Sequence, residues 1–235
     1  AEVVIGLTIV SIGTSLPEIL VTSTAAYGGA DDPAMIDLAI GNIFGSVLVQ
    51  ITLILGIVVM VRPLEIRPDW LRRDGMLMLG AVVLLSLLLM WNKNLTRWEG
   101  ALLVSLYIGY IWWLLKNQDK IRSDELEIVP DVKTQGRGWT SGAYTVMVII
   151  GLMFAIYAAT QLVKIASEIA IAMKVDPAIV GMTMSGLGTS LPELTVALMA
   201  SKRSQGVAIG TLIGSNITDP MLSIGIAAMI SPLTI

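Results

Sequence analysis

Six residues occur twice in this chain, and their surroundings restrict what it can fold into. Gly13, Thr14, Ser15, Leu16, Pro17 and Glu18 recur in the same order as Gly188, Thr189, Ser190, Leu191, Pro192 and Glu193. Each copy places a proline and a carboxylate inside a long apolar run. Residues 5–20 overlay 180–195 with eight identities in sixteen. That agreement marks an internal repeat rather than a chance hexapeptide.

The repeat continues past the motif. Residues 41–66 overlay 210–235, where Gly41, Gly45, Ser46, Gly56, Pro63 and Leu64 meet Gly210, Gly214, Ser215, Gly225, Pro232 and Leu233. Each copy is therefore a pair of helices. Both pairs are apolar throughout, and the whole chain is 55% hydrophobic with only 14% charged residues. Such a balance belongs in a bilayer. The chain has no Cys and no His, which removes disulfides, thiolate or imidazole metal sites and His-based triads. Nothing at Ala1 has the basic start or cleavage site of a signal peptide.

Hydropathy predicts seven spans: about Val3–Ala26, Leu38–Val61, Gly75–Trp91, Gly100–Leu115, one starting near Trp139, Ile179–Ala200 and Val207–Ile230. The residues from Arg62 to Arg73 read as a polar connection, and Asn117–Gly138 as the one long polar loop. Lys164 and Glu168, four apart, can pair along one helix face. Alternate connections share a side. One side collects Arg62, Arg67, Arg72, Arg73, Lys116, Lys120, Arg122, Lys133, Arg137, Lys202 and Arg203; the other collects only Lys93, Arg97 and Lys174. The positive-inside rule then makes the 117–138 loop cytoplasmic.

The two motif helices are the first and sixth spans, so they cross in opposite directions. The fold class expected is an all-α membrane protein built on an inverted-topology repeat, the plan of secondary transporters. Residues 1–116 carry the first-repeat helices, 117–138 the cytoplasmic loop and 139–235 the second-repeat helices. Two equal halves would need ten spans. Set against that plan, the first repeat lacks its opening helix and the second its last two, with seven transmembrane helices present.

Pro17 and Pro192 cannot donate backbone hydrogen bonds, and each should break or kink its helix in mid-membrane. Irregular backbone at that depth is tolerated where protein or a wet cavity encloses it. Thr14 and Ser15 share a helix face with Glu18. Ser46 and Gln50 form a four-spaced polar pair, as do Ser215 and Asp219. A lone Ser or Thr in such a helix ordinarily bonds its own backbone. Three carboxylates on a repeat axis have no such ordinary explanation. Carboxylate, hydroxyl, amide and carbonyl oxygens together suit a hard cation such as Ca²⁺ or Na⁺, not zinc or copper.

These motifs, with Gly41–Ser46 and Gly210–Asp219 following them, resemble the α-repeats of the Ca²⁺/cation antiporter superfamily, closest to the sodium/calcium exchangers. The resemblance implies a central site formed by the four repeat helices. Its ligands would be Thr14, Ser15, Glu18, Ser46 and the Ser11 carbonyl from the first half. From the second half come Thr189, Ser190, Glu193, Ser215, Asp219 and the Gly186 carbonyl. Gln50 stands where the exchangers usually carry Asn; its amide is retained with one more methylene. The resemblance also implies alternating access, Ca²⁺ and Na⁺ as transported ions with no organic cofactor, and no regulatory Ca²⁺-binding domain in so short a loop. The expected protein is a multi-pass antiporter of the plasma membrane, surrounded by lipid, working as a monomer and without nucleic-acid partners. A H⁺/Ca²⁺ exchanger of the same fold is the nearest alternative. A cation channel is the alternative from another class, and an intramembrane enzyme is disfavoured because the serines lack a base.

Overall fold

A computed structural model describes residues 2–29, 32–66, 68–118, 121, scattered positions between 150 and 166, and 168–234. Two helices, α1 (Glu2–Thr14) and α2 (Leu16–Gly28), meet at a 43° bend. They are followed by α3 (Ala34–Val61), α4 (Pro68–Trp91) and α5 (Arg97–Lys116). The second half contains α6 (177–189), α7 (Leu191–Ser201) and α8 (Gln205–Ile230). Among the described residues, α3, α4, α5 and α8 are each long and apolar enough to cross a membrane, and the bent α1–α2 pair makes a fifth. The sixth expected span is the α6–α7 pair. The fifth, from Trp139, and the loop 117–138 lie largely outside the described residues.

The repeat is written into the backbone. Helix α1 carries a π-helical turn at Gly6–Val10, and α6 carries one at Gly181–Ser185, the equivalent positions. Helix α3 has another at Gln50–Ile54, matched in α8 by Asp219–Ser223. The motif helices break one residue after the threonine, at Ser15 (φ −77°, ψ 3°) and Ser190 (φ −86°, ψ 4°). Leu16-Pro17 and Leu191-Pro192 then open the next helix, where proline's missing N–H is no loss. The expected break is thus present in both halves.

The halves interlock. Helix α3 packs on α6, and α8 packs on α1, so each repeat supplies the partner of the other's motif helix. Glycine makes the crossings possible. A β-carbon on Gly6 would sit 2.7 Å from the Val207 carbonyl oxygen, and one on Gly181 would sit 2.5 Å from that of Leu38. These four residues are equivalent in pairs, so the same close approach is built twice. Small residues at helix crossings are the usual means of bringing backbones together in a bilayer.

Helices α4 and α5 flank this core through Leu85, Leu89 and Leu103, which pack with Ile224, Ala227 and Ala228 of α8. Their other faces are apolar and exposed, as at Leu79, Val83, Leu87, Leu106 and Trp112. Helix α5 opens with a capping box in which the Thr96 hydroxyl accepts from the Glu99 N–H and the Glu99 carboxylate accepts from the Thr96 N–H. At one end of the bundle Asn94–Leu95 pairs antiparallel with Leu233–Thr234. At the other, Arg62 donates to the Lys202 carbonyl at 3.0 Å, and Glu2 meets Ser204.

One connection is shorter than the sequence suggests. Helix α4 begins at Pro68, so Arg72 and Arg73 lie within it rather than in a loop. Proline suits a first helical turn, and its presence there starts this helix instead of delaying it. Asp74, fully buried, is held by Arg73 at 2.8 and 2.6 Å and by the Tyr110 hydroxyl at 3.1 Å. That pairing fastens α4 to α5. Lys164 and Glu168 do approach along their helix, at 4.0 Å, both well exposed.

Candidate functional site

At the centre of the bundle the expected positions come together. Ser11, Ser15, Glu18, Ser46, Gln50, Ser190, Glu193, Ser215 and Asp219 are buried, as are Thr14, Gly186 and Thr189. Burial of so many oxygen-bearing groups inside an otherwise apolar bundle turns the usual solubility pattern inside out.

The groups pair between helices rather than along each one, mostly across the halves, with Ser215–Glu193 inside the second repeat. Ser190 donates to Glu18 Oε1 at 3.1 Å, and Ser215 lies 3.5 Å from Glu193 Oε1. Thr14 and Ser215 share a hydrogen bond at 3.3 Å. Ser46 donates to Asp219 Oδ2 at 2.9 Å, and Gln50 Nε2 donates to the same oxygen at 3.1 Å. The four-spaced pairs Ser46–Gln50 and Ser215–Asp219 therefore act together because both members face the other repeat.

The two proposed carbonyls are engaged within their own helices. The Ser11 carbonyl accepts from the Ser15 N–H at 2.9 Å and the Thr14 hydroxyl at 3.2 Å. That of Gly186 accepts from the Ser190 N–H at 3.3 Å and the Thr189 hydroxyl at 3.4 Å. Both sit in the last turn before the breaks, and each already accepts two hydrogen bonds.

Five buried side-chain oxygens of this cluster have no hydrogen-bond partner: Ser15 Oγ, Glu18 Oε2, Gln50 Oε1, Glu193 Oε2 and Asp219 Oδ1. A buried polar atom without a partner is costly, and a group of oxygens left this way suits a bound cation. Among the described residues, no three acidic side chains are placed to hold one metal ion unaided. Hydroxyl and amide groups stand between the carboxylates instead. Next to Gln50, a cavity of about 120 Å³ opens between α3, α4 and α8, lined by Leu55, Leu71, Met78, Leu212 and Asn216.

Several polar residues here were not singled out from the sequence. Asn42, Thr22 and Ser185 form a buried hydrogen-bonded cluster beside Thr189. Tyr107 bonds Thr218 at 3.0 Å. Asn42 lies in the repeated Gly41–Ser46 segment, but its counterpart there is Thr211, so the repeat itself does not mark it. Asp37 lies in the first turn of α3, and Asp32 supplies the end contact by accepting from the Ala34 N–H at 3.0 Å.

An interlocked pair of broken-helix repeats around buried carboxylates defines a membrane transporter of cations. The chain matches the family described as sodium/calcium exchanger protein over residues 1–116 and 143–235, and it belongs to that family. CaxA of Alkalimonas amylolytica is 31% identical over 240 residues, covering 99% of this chain and 71% of CaxA. Sodium/calcium exchanger MaX1 of Methanosarcina acetivorans is 28% identical over 272 residues, covering all of this chain and 75% of MaX1. Among solved structures, the sodium-calcium exchanger NCX_Mj soaked with Na⁺ and Ca²⁺ superposes with a TM-score of 0.66 at 26% identity, over 100% of this chain and 72% of that one. The protein is an integral, multi-pass membrane antiporter, and its all-α repeat fold is that of the exchangers.

Proposed function

We propose that this protein exchanges Ca²⁺ for Na⁺ across the plasma membrane by alternating access. The ions would bind at Thr14, Ser15, Glu18, Ser46, Gln50, Thr189, Ser190, Glu193, Ser215 and Asp219, with the carbonyls of Ser11 and Gly186. The observation that carries this reading is the set of five unpartnered buried oxygens, contributed by both repeats. An all-oxygen set containing carboxylates favours hard cations. The sodium/calcium exchangers MaX1 and NCX_Mj among the similar proteins support the same choice of ions.

Residues 1–116 and 139–235 act as the two repeats, joined by a cytoplasmic 117–138 loop. Each break lets a half-helix tilt without dragging the rest of its span, which gives the site two ways of opening. The site lies within one chain, so a monomer suffices for transport. The test is Ca²⁺ uptake into vesicles loaded with Na⁺, compared with vesicles carrying only a pH gradient. Uptake driven by Na⁺ supports the reading. Uptake driven by the pH gradient and indifferent to Na⁺ makes the protein a H⁺/Ca²⁺ exchanger, and uptake needing no counter-ion makes it a channel.

A further inference from the structure

We propose that Asn42 is a positioning residue for the ion site, fixing the end of α6 that carries the Gly186 carbonyl and the Thr189 hydroxyl; this rests on the ion-site reading above. Asn42 lies one turn before Ser46 on α3 and is fully buried. Its Nδ2 donates to Thr22 Oγ1 at 3.1 Å. Its Oδ1 accepts from the Ser185 hydroxyl at 2.6 Å and from the Thr189 hydroxyl at 3.4 Å. One amide thus ties α2, α3 and α6 together, with both ends of its side chain used.

Comparison of the repeats explains why it is needed. In the first half, the Thr14 hydroxyl is met by Ser215 of α8. The equivalent partner for Thr189 would be Ser46 of α3, but Ser46 is turned to Asp219. The repeats differ at that point, since Asp219 corresponds to Gln50. A hydroxyl prefers the charged acceptor, because a charge-assisted bond is the stronger one. Ser46 is therefore drawn to Asp219, and Thr189, whose hydroxyl also reaches the Ser185 and Gly186 carbonyls of its own helix at 3.1 and 3.4 Å, has no partner in Ser46. Asn42, a turn away, takes that place.

The cluster has no copy in the other half. The positions equivalent to Asn42, Ser185 and Thr22 are Thr211, Val10 and Ala197. Thr211 turns its hydroxyl back to the Val207 carbonyl at 2.8 Å. The polar fastening is thus confined to the α3–α6 crossing, where Gly186 already lies against the backbone of Gly45 and Ser46. A shift of α6 there would move two proposed ligands at once.

The test is Ca²⁺ flux in proteoliposomes for wild type, Asn42→Leu, Ser185→Ala and the double variant. Losing one buried hydrogen bond at this place should raise the apparent KM for Ca²⁺ roughly three- to tenfold while the maximal rate per folded molecule stays near wild type. A role confined to folding would lower the amount of active protein and leave KM alone. The double variant should be no worse than the worse single one, because both act through the same contact. Unchanged KM in folded Asn42→Leu, or effects that multiply in the double variant, would overturn the assignment. Should Asn42→Leu fail to fold, Ser185→Ala decides: it removes one hydroxyl only, and an unchanged KM there overturns the proposal too. Wild-type protein with no Ca²⁺ flux would overturn the exchanger reading itself, whereas wild-type flux with unaltered variants overturns the role of Asn42 alone.

Discussion

Ser46 donates its hydroxyl to Asp219 across the repeat interface at 2.9 Å, while its repeat counterpart Ser215 stands 3.5 Å from Glu193. The two serines occupy equivalent places in sequence and unequal places in energy. A short bond to a carboxylate contributes about 1.5–3 kcal/mol, and a bond at the distance limit much less. Ser46→Ala should therefore lower the ion-free melting temperature more than Ser215→Ala. Thermal unfolding of both variants in detergent, without Na⁺ or Ca²⁺, measures this. Equal losses would contradict the asymmetry.

Glu18 and Glu193 each keep one carboxylate oxygen unpartnered at full burial. Glu18→Gln and Glu193→Gln preserve shape and remove one charge each. Both should abolish Ca²⁺ transport while the protein still folds, because a divalent ion is then left with too few anionic ligands. Wild-type-like Ca²⁺ flux in either variant would remove that residue from the site.

Gly181 offers a test of the interlock. A methyl there would lie 2.5 Å from the Leu38 carbonyl oxygen, a backbone atom that cannot rotate away. Gly181→Ala should destabilise the protein by about 1–3 kcal/mol through a forced backbone shift. Gly188→Ala, whose added carbon meets nothing within 4 Å, should be far milder. The comparison is read as a difference in melting temperature, and the reverse order would refute the packing.

Much of this arrangement was legible in the residues. Duplication, the prolines and the spaced oxygens depend on sequence period alone, so the breaks at Ser15 and Ser190 and the buried site followed. What stayed hidden depends on which atom faces which across the interface. Ser46 and Gln50 are four apart and look like partners, yet both turn to Asp219. Asn42 resembles any helical asparagine until Ser185 and Thr22 are seen around it. The Arg62 to Arg73 stretch reads as a polar connection, but Pro68 at the first turn opens α4 within it and carries Arg73 and Asp74 into a buried pair.

The charge asymmetry of the connections gives a topological prediction. With Arg62, Arg72, Lys202 and Arg203 on the same side as the 117–138 segment, that segment should face the cytoplasm. A protease site inserted there should be cut in inverted vesicles and resist protease added to intact cells. Cutting in intact cells would reverse the orientation and exchange the two openings of the site.

The counter-ion follows from the charge of the site. Glu18, Glu193 and Asp219 bring three carboxylates together, and α1, α2, α3, α6, α7 and α8 contain no Lys or Arg to balance them. An unoccupied site with three negative charges is strongly disfavoured in a low dielectric. One Ca²⁺ leaves a single negative charge, which a proton on Asp219 would neutralise; three Na⁺ neutralise all three carboxylates. Both loaded forms can cross and the empty one cannot, which is the condition for obligatory exchange. If Asp219 keeps its proton throughout the cycle, replacing one Ca²⁺ by three Na⁺ moves unequal charge, so transport should be electrogenic and respond to an imposed potential. Acid should weaken it: protons added to the carboxylates remove the charge that a cation would balance, so flux falls as pH falls. Gln50→Asp places a fourth carboxylate beside Asp219 in exchange for a donor bond at 3.1 Å, and should shift ion preference toward a further cation. Vesicle Ca²⁺ flux with potential, Na⁺ gradient and pH gradient varied separately checks each part. Flux that ignores the potential would refute unequal charge movement, and flux that rises with acidity would refute competition by protons.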